Sequence, residues 1–221
     1  MTTIAIVGAG RGLGAAAARR FGREGFHVAL LSRSQENVDA LASELTAEGL
    51  TAHGYATDVR DGASLSAALE RAAQTLGPVE VLQYSPIPQK EFLRPVLETT
   101  SDDLTGALEF SVHGPVTAVQ QVLPGMRALG RGTVLFVNGG SAARPNPKVA
   151  GTSIAFAGES AYAQMLHEVL TPDGIHVGQL IIRGAIQSGH ARTDPAALAD
   201  TLWSMHTGRG AFRQFADDPD A

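Results

Sequence analysis

Cysteine is missing altogether from the 221 residues. Its absence excludes disulfides, thiolate metal sites and a cysteine nucleophile, and makes a reducing compartment, the cytoplasm, the expected location. Clustered positive charge is missing too: the formal net charge is -5 and the charges are scattered. Nothing resembles a phosphate-backbone footprint, which argues against nucleic acid as a partner. Hydrophobic residues make up 44% of the chain, yet no apolar run approaches the roughly 18 to 20 residues that a membrane span needs. A soluble protein with no membrane partner is expected. Met1 leads straight into the strand-like TTIAIV without a charged n-region, so no secretory signal is expected. His53, His167, His176 and His206 show no ligand spacing, and no metal site is indicated.

What is there is an alternation. Short apolar runs, TIAIV (3–7), HVALL (27–31), TAHGYA (51–56), VEVLQY (79–84), TVLFVN (133–138) and IHVGQLII (175–182), are separated by segments of helical period. Six such strands with intervening helices imply a buried parallel sheet with right-handed crossovers on both faces. Ser34 caps an expected helix over 34–48 whose Val38, Leu41 and Leu45 share a face, with Gly49 after its last turn. Thr193 or Asp194, followed by Pro195, opens another helix with Leu198, Leu202 and Met205 as its apolar stripe. The pattern predicts one domain over 1–215, of α/β class, and an acidic tail, ADDPDA, over 216–221.

Between the first strand and the first helix stands VGAGRGLG. Gly8, Gly12 and Gly14 let the backbone turn sharply and approach a pyrophosphate, and the helix N-terminus offers free N–H groups to that anion. Following a strand and opening an alanine-rich helix, the loop predicts a dinucleotide site on a Rossmann-type doubly wound sheet. Gly10, Arg11 and Leu13 fall within the same contact. The second strand ends in Ser32, Arg33 and Ser34, where an NAD site would carry an acid on the ribose hydroxyls. Arg33, with Arg11 closing from the other side, suits a 2′-phosphate, so NADP(H) is the expected cofactor.

Gly8-x-x-x-Gly12-x-Gly14, Asp58-Val59 after the third strand and the order of six strands make the chain resemble the short-chain dehydrogenase/reductase family over nearly its whole length. The resemblance implies that Asp58 and Val59 border the adenine, and that Gly184 and Ser188 hold the nicotinamide end, with Arg183 in place of a proline. It also implies a catalytic Tyr and a Lys four residues later on the fifth helix, a Ser after the fifth strand and an Asn on the fourth helix. Here the Tyr position falls on Phe156, the Lys position on Ser160 and the Asn position on Ser111. Tyr55, Tyr84 and Tyr162 are followed four residues on by Val59, Pro88 and Leu166, so no Tyr-x-x-x-Lys occurs anywhere. Tyr162 lies roughly 240° around the helix from Phe156, on a face suited to core or subunit contact.

Tyr84, Ser85 and Pro86 replace the family's Asn-Asn-Ala-Gly after the fourth strand, and Ser85 joins the expected cofactor contacts. Tyr84, at the strand's C-terminal end, is the first candidate for a substitute proton donor. Ser141 is the best match to the substrate-orienting serine, with Gly139 and Gly140 as the other occupants that the loop length allows. His113, His190 and Lys148 are further polar candidates, each equally at home as a solvated residue. Two readings stay open: an NADP(H)-dependent oxidoreductase for a small carbonyl or alcohol, working with a non-standard proton donor, and a catalytically inactive NADP(H)-binding sensor or partner subunit. By the family likeness a homodimer or homotetramer is expected, since AFAGESAYAQML is rich in small and apolar residues.

Overall fold

The computed structural model describes residues 1–216; most of the expected acidic tail lies outside the described residues. Seven parallel strands form one sheet: β1 (Thr3–Val7), β2 (His27–Ser32), β3 (Ala52–Ala56), β4 (Val79–Tyr84), β5 (Gly132–Gly139), β6 (Ile175–Ile182) and β7 (Arg213–Phe215), in the order β3-β2-β1-β4-β5-β6-β7. The helices are α1 (Leu13–Arg23), α2 (Gln35–Ala47), α3 (Gly62–Leu76), α4 (Ser101–Leu108), α5 (Gly114–Leu129), α6 (Ala150–Leu170) and α7 (Pro195–Gly208). The architecture is the single-domain Rossmann-type α/β fold. No helix among the described residues is long and apolar enough to cross a membrane.

Strand side chains alternate between two cores. Ile4, Ile6, Val28 and Leu30 pack with Phe21 of α1, Leu41 and Leu45 of α2 and Leu202 of α7. Ala5, Val7, Ala29 and Leu31 face the opposite way, with Leu65 and Leu69 of α3, Val119 and Met126 of α5 and Ala163 of α6. Burial on both faces is why these strands read as continuous apolar runs. Ser34 caps α2, accepting from the Asn37 N–H at 3.3 Å. Asp194, one of two caps allowed by sequence, opens α7 by accepting from the Ala196 N–H at 2.8 Å. The winding direction reverses between β1 and β4, and the crevice beyond their C-terminal ends is where such sheets bind ligands.

Two features escaped the sequence pattern. β7 is a three-residue edge strand that pairs with β6. Between α4 and α5 the chain makes a π-turn over Glu109–His113, in which the Gly114 N–H bonds the Glu109 carbonyl. The same five-residue spacing would give the Phe110 carbonyl to Pro115, which has no N–H. The Tyr84 hydroxyl donates to that carbonyl instead, at 2.5 Å. A Cβ at Gly114 would collide with the same hydroxyl, so glycine there admits the tyrosine.

Candidate active site

Gly8 carries φ +90°, and a Cβ there would stand 2.5 Å from the backbone of Pro86. Only glycine fits where the turn after β1 meets the turn after β4. A Cβ at Gly14 would sit 3.0 Å from Ala9 Cα, so α1 packs directly on the loop that precedes it. Gly10 and Gly12 have open space where a side chain would be. The α1 N-terminus has no side-chain cap and no acid in its first turn. Its positive end therefore faces the crevice without a built-in counter-charge.

Along this loop runs a cleft of about 560 Å³. Gly8, Gly10, Arg11, Gly12, Leu13 and Gly14 line one end, while Ser85, Gly184 and Ser188 come in from β4 and from the segment after β6. A side pocket of about 200 Å³ opens beyond Gly8 and Gly10, between Ser32, Arg33, Thr57, Asp58 and Val59. Topology thus brings every sequence-expected cofactor residue to one continuous groove. The residues fit a dinucleotide: open glycines beside a helix N-terminus for a pyrophosphate, and a guanidinium at the end of β2. The two arginines do not converge, however. Arg33 lines the side pocket with its Nη1 3.0 Å from the Gln89 amide, whereas Arg11 reaches to α2 and pairs with Glu44 at 2.7 Å. That pair is exposed, so its release costs no more than about 1 kcal/mol.

At the other end of the cleft the expected catalytic positions are accounted for one by one. Phe156 is buried and its ring is a wall of the cleft. Ser160 is buried below, donating to the Ala142 carbonyl at 3.4 Å and accepting from Gln179 Nε2 at 2.7 Å. Ser141 and Gly139 line the cleft itself. Ser111 is buried in the π-turn and lies outside the cleft, against a smaller cavity. His113 and Lys148 are exposed, and the His190 ring accepts backbone N–H groups of Arg192 and Thr193 within its own loop.

Tyr84 requires a correction. Expected at the mouth of the cleft as a proton donor, its side chain lies beneath the cleft, 1% exposed and with its hydroxyl committed to Phe110. Burial raises its pKa well above 10, with Glu159 and Asp58 adding to the shift. A phenol with its proton donated to a buried carbonyl is a structural post.

Behind Phe156 the structure shows a carboxyl that sequence reasoning passed over. Glu159 is 1% exposed and shares a small cavity with Tyr84, Ser111, Asn138 and Phe156. Asn138 lies beside it and favours the charged form, and Oε1 has no partner. Burial pushes its pKa up to about 8, so the carboxyl is largely protonated at neutrality. Asn138 belongs to a buried chain: Gln179 Nε2 donates to Asn138 Oδ1 at 2.8 Å, and Arg213 Nε of β7 donates to Gln179 Oε1 at 2.8 Å. The available signal was a lone acid among small and apolar residues, one turn beyond Phe156 on the same helix face.

Comparison with known proteins agrees with this geometry. A family model described as short chain dehydrogenase matches residues 2–197. The 2,3-dihydro-2,3-dihydroxybenzoate dehydrogenase of Bacillus subtilis (strain 168) is 30% identical over 206 residues, 92% of this chain and 74% of that protein. The oxidoreductase UcpA of Escherichia coli (strain K12) is 32% identical over 161 residues, 73% of this chain and 57% of UcpA, so the chain spans little more than half of that relative. Among solved structures, a short-chain dehydrogenase from Rhodopseudomonas palustris superposes with a TM-score of 0.84 at 28% identity, covering 97% of both chains. An NADPH-bound short-chain oxidoreductase from Pseudomonas aeruginosa PAO1, described as containing an atypical catalytic center, shares the fold with a TM-score of 0.85 at 20% identity, covering 98% of this chain and 96% of that one. A match running from the first strand into α7 leaves neither half of the sheet unassigned, and the chain belongs to the short-chain dehydrogenase family of oxidoreductases.

Proposed function

We propose that the protein is an NADP(H)-dependent oxidoreductase for a small, uncharged, apolar carbonyl or alcohol, with a proton supply other than a tyrosine. The observation that carries this reading is the lining of the cleft. Beyond the glycine loop its walls are Ile87, Leu93, Val149, Phe156 and Ile186, and Arg11 of the loop is the one ionisable side chain that lines it among the described residues. An acidic or basic substrate would be desolvated there without a counter-charge. Ser141 offers a hydroxyl to orient a substrate oxygen, and the apolar walls exclude water. The glycine loop and the α1 N-terminus hold the pyrophosphate, and Ser32 with Arg33 holds the 2′-phosphate. When bound, the cofactor supplies or accepts hydride.

A second reading, a non-catalytic NADP(H) sensor or partner subunit, is favoured by one feature. Phe156 fills the tyrosine place, and Ser160 is committed to Gln179 and Ala142. Fluorescence titration with NADPH and NADH, followed by turnover over neutral ketones and keto acids, separates the readings. NADPH should bind more tightly, Arg33→Ala should weaken NADPH alone by about tenfold or more, and neutral ketones should be reduced in preference to keto acids. NADPH binding without turnover on any carbonyl selects the sensor, and preference for NADH overturns the cofactor assignment.

Assembly as a homodimer or homotetramer is part of the proposal. Ile154, Met165 and Val169 are 45%, 58% and 64% exposed on one face of α6, a stripe that a second subunit would cover. A stable monomer near 23.0 kDa by light scattering would count against it.

A further inference from the structure

Four residues, Pro86, Val137, Asn138 and Phe156, line both the cleft and the small cavity that holds Glu159. They form a partition one side chain thick. Asn138 is its one member with a polar side chain, and it stands beside Glu159 in the cavity wall. A charge in the cleft is therefore felt by the Glu159 carboxyl across a layer of protein with little water to screen it.

The groups around Glu159 do not neutralise it. Tyr84, from β4, is the other titratable residue in the cavity, and its hydroxyl proton is given to Phe110. Asp58 lies outside the cavity and acts on Tyr84 by its charge. From β6 the facing side chain is the neutral Gln179, through which Arg213 of β7 is two hydrogen bonds removed from Asn138. His176 of β6 pairs with His167, two turns further along α6. On α4 and the π-turn, Asp102, Asp103, Glu109 and His113 lie outside the cavity, and Glu109 is paired with Arg60. Lys90 and Glu91 are exposed, and Asp173 is paired with Arg127.

We propose that Glu159 is a proton store coupled to the charge in the cleft: it keeps its carboxyl proton when the occupant is neutral and gives it up when the occupant is a cation. The proposal rests on the reading that the cleft takes NADP(H), whose nicotinamide is neutral when reduced and cationic when oxidised. On release the carboxyl O–H bond breaks and its electron pair stays on the carboxylate. The proton passes to solvent, from which a carbonyl that becomes an alcohol takes the one it needs. Glu159 is thereby a proton-holding residue that feels the charge of the cleft across this partition and does not itself touch the substrate. The burial that places its proton affinity near neutrality keeps the store full before the cleft is charged.

Calorimetry of NADP⁺ and NADPH binding near pH 7.5, in buffers of different protonation enthalpy, counts the protons released by each cofactor. Protons exchanged by the phosphates are common to both and cancel in the difference. NADP⁺ should release about half a proton more than NADPH, and the ratio of NADP⁺ to NADPH affinity should rise up to about tenfold as pH is raised from about 6 to 9. Glu159→Gln should abolish both effects while still binding both cofactors, and Glu159→Asp should restore part of them. Equal proton counts, a difference that survives Glu159→Gln, or a flat affinity ratio in the wild type overturns the proposal, the last without need of a variant. A proton difference with no turnover on any carbonyl upholds it and defeats the oxidoreductase reading; turnover with equal proton counts does the reverse. A chain that binds neither cofactor defeats both.

Discussion

The two ends of the cleft differ in how they are held. At the glycine loop, backbone does the work: Gly8 and Gly14 are pinned by direct contact with Pro86 and Ala9, and Gly10 and Gly12 leave room. At the far end, side chains do it, through a buried network from Arg213 by way of Gln179 to Asn138, with Glu159 beside it. At Gly8 and Gly14 the cradle tolerates little substitution, because an added side chain meets main chain there. A side-chain network can be rebuilt with other groups, and here Ser160 bonds Ala142 and Gln179 while Phe156 and Glu159 lie buried on the same helix. The two ends of one groove are thus held by separable means.

The largest effect should come from the rigid end. Gly8→Val forces a β-branched residue to φ +90° and drives its Cβ into Pro86. A destabilisation of about 3 kcal/mol or more is expected, with loss of NADPH binding. Chemical denaturation together with cofactor titration checks it, and a variant of wild-type stability would show that the turn is looser than its contacts imply.

Next comes pH dependence of stability, which sharpens the contrast because it reads the far end alone. Glu159 has its pKa raised from 4.5 to about 8, so its proton is bound more tightly in the folded state, and stability is lost as pH rises through that range. His176 has its pKa lowered from 6.5 to about 4 by burial, and its contribution is lost as pH falls below 6.5. The two slopes oppose each other between 4.5 and 6.5, and above 6.5 Glu159 acts alone. Wild-type stability should therefore decline between about pH 6.5 and 8. Glu159→Gln should remove that decline and stabilise the fold by up to about 3 kcal/mol at pH 7. Melting curves in a pH series decide it; unchanged stability would mean that the carboxyl is better solvated than its burial indicates.

Legibility in the sequence followed the same division. The glycine loop could be read because its spacing is local, with Gly14 answering to Ala9 within the turn and Gly8 to Pro86 after the adjacent strand. Tyr84 could not be oriented, because β4 is buried on both faces and its run VEVLQY has no alternation to say which side faces the cleft. What turns its ring toward α5 is Pro115, distant in sequence and informative only once the π-turn is known. Glu159 needed Asn138 from β5 and Pro86 after β4 to become a site. β7, three residues long, offered no period to read.

Tyr84→Phe tests that reassignment directly. Losing a buried hydroxyl bonded to the Phe110 carbonyl leaves that acceptor unpaired, at a cost of about 1 to 2 kcal/mol of stability. Since the hydroxyl does not reach the cleft, NADPH affinity and any turnover should stay within about twofold of wild type. Turnover abolished in a well-folded Tyr84→Phe variant would return the phenol to the chemistry.

The smallest effect returns to the glycine loop, at its one adaptable side chain. Arg11 is paired with Glu44 at 2.7 Å, and the two side chains are 71% and 41% exposed. Such a pair contributes at most about 1 kcal/mol, so Glu44→Ala should hardly move the melting temperature. Freed from α2, the guanidinium can turn toward the groove and share a phosphate with Arg33. NADPH affinity should then rise by about two- to fivefold at low salt, with the gain fading as ionic strength is raised. NADH, which lacks the 2′-phosphate, separates the two phosphate sites: a gain confined to NADPH places Arg11 at the 2′-phosphate beside Arg33, and an equal gain for both places it at the pyrophosphate. No gain for either cofactor would show that Arg11 belongs to the α2 surface and that Arg33 selects the cofactor alone.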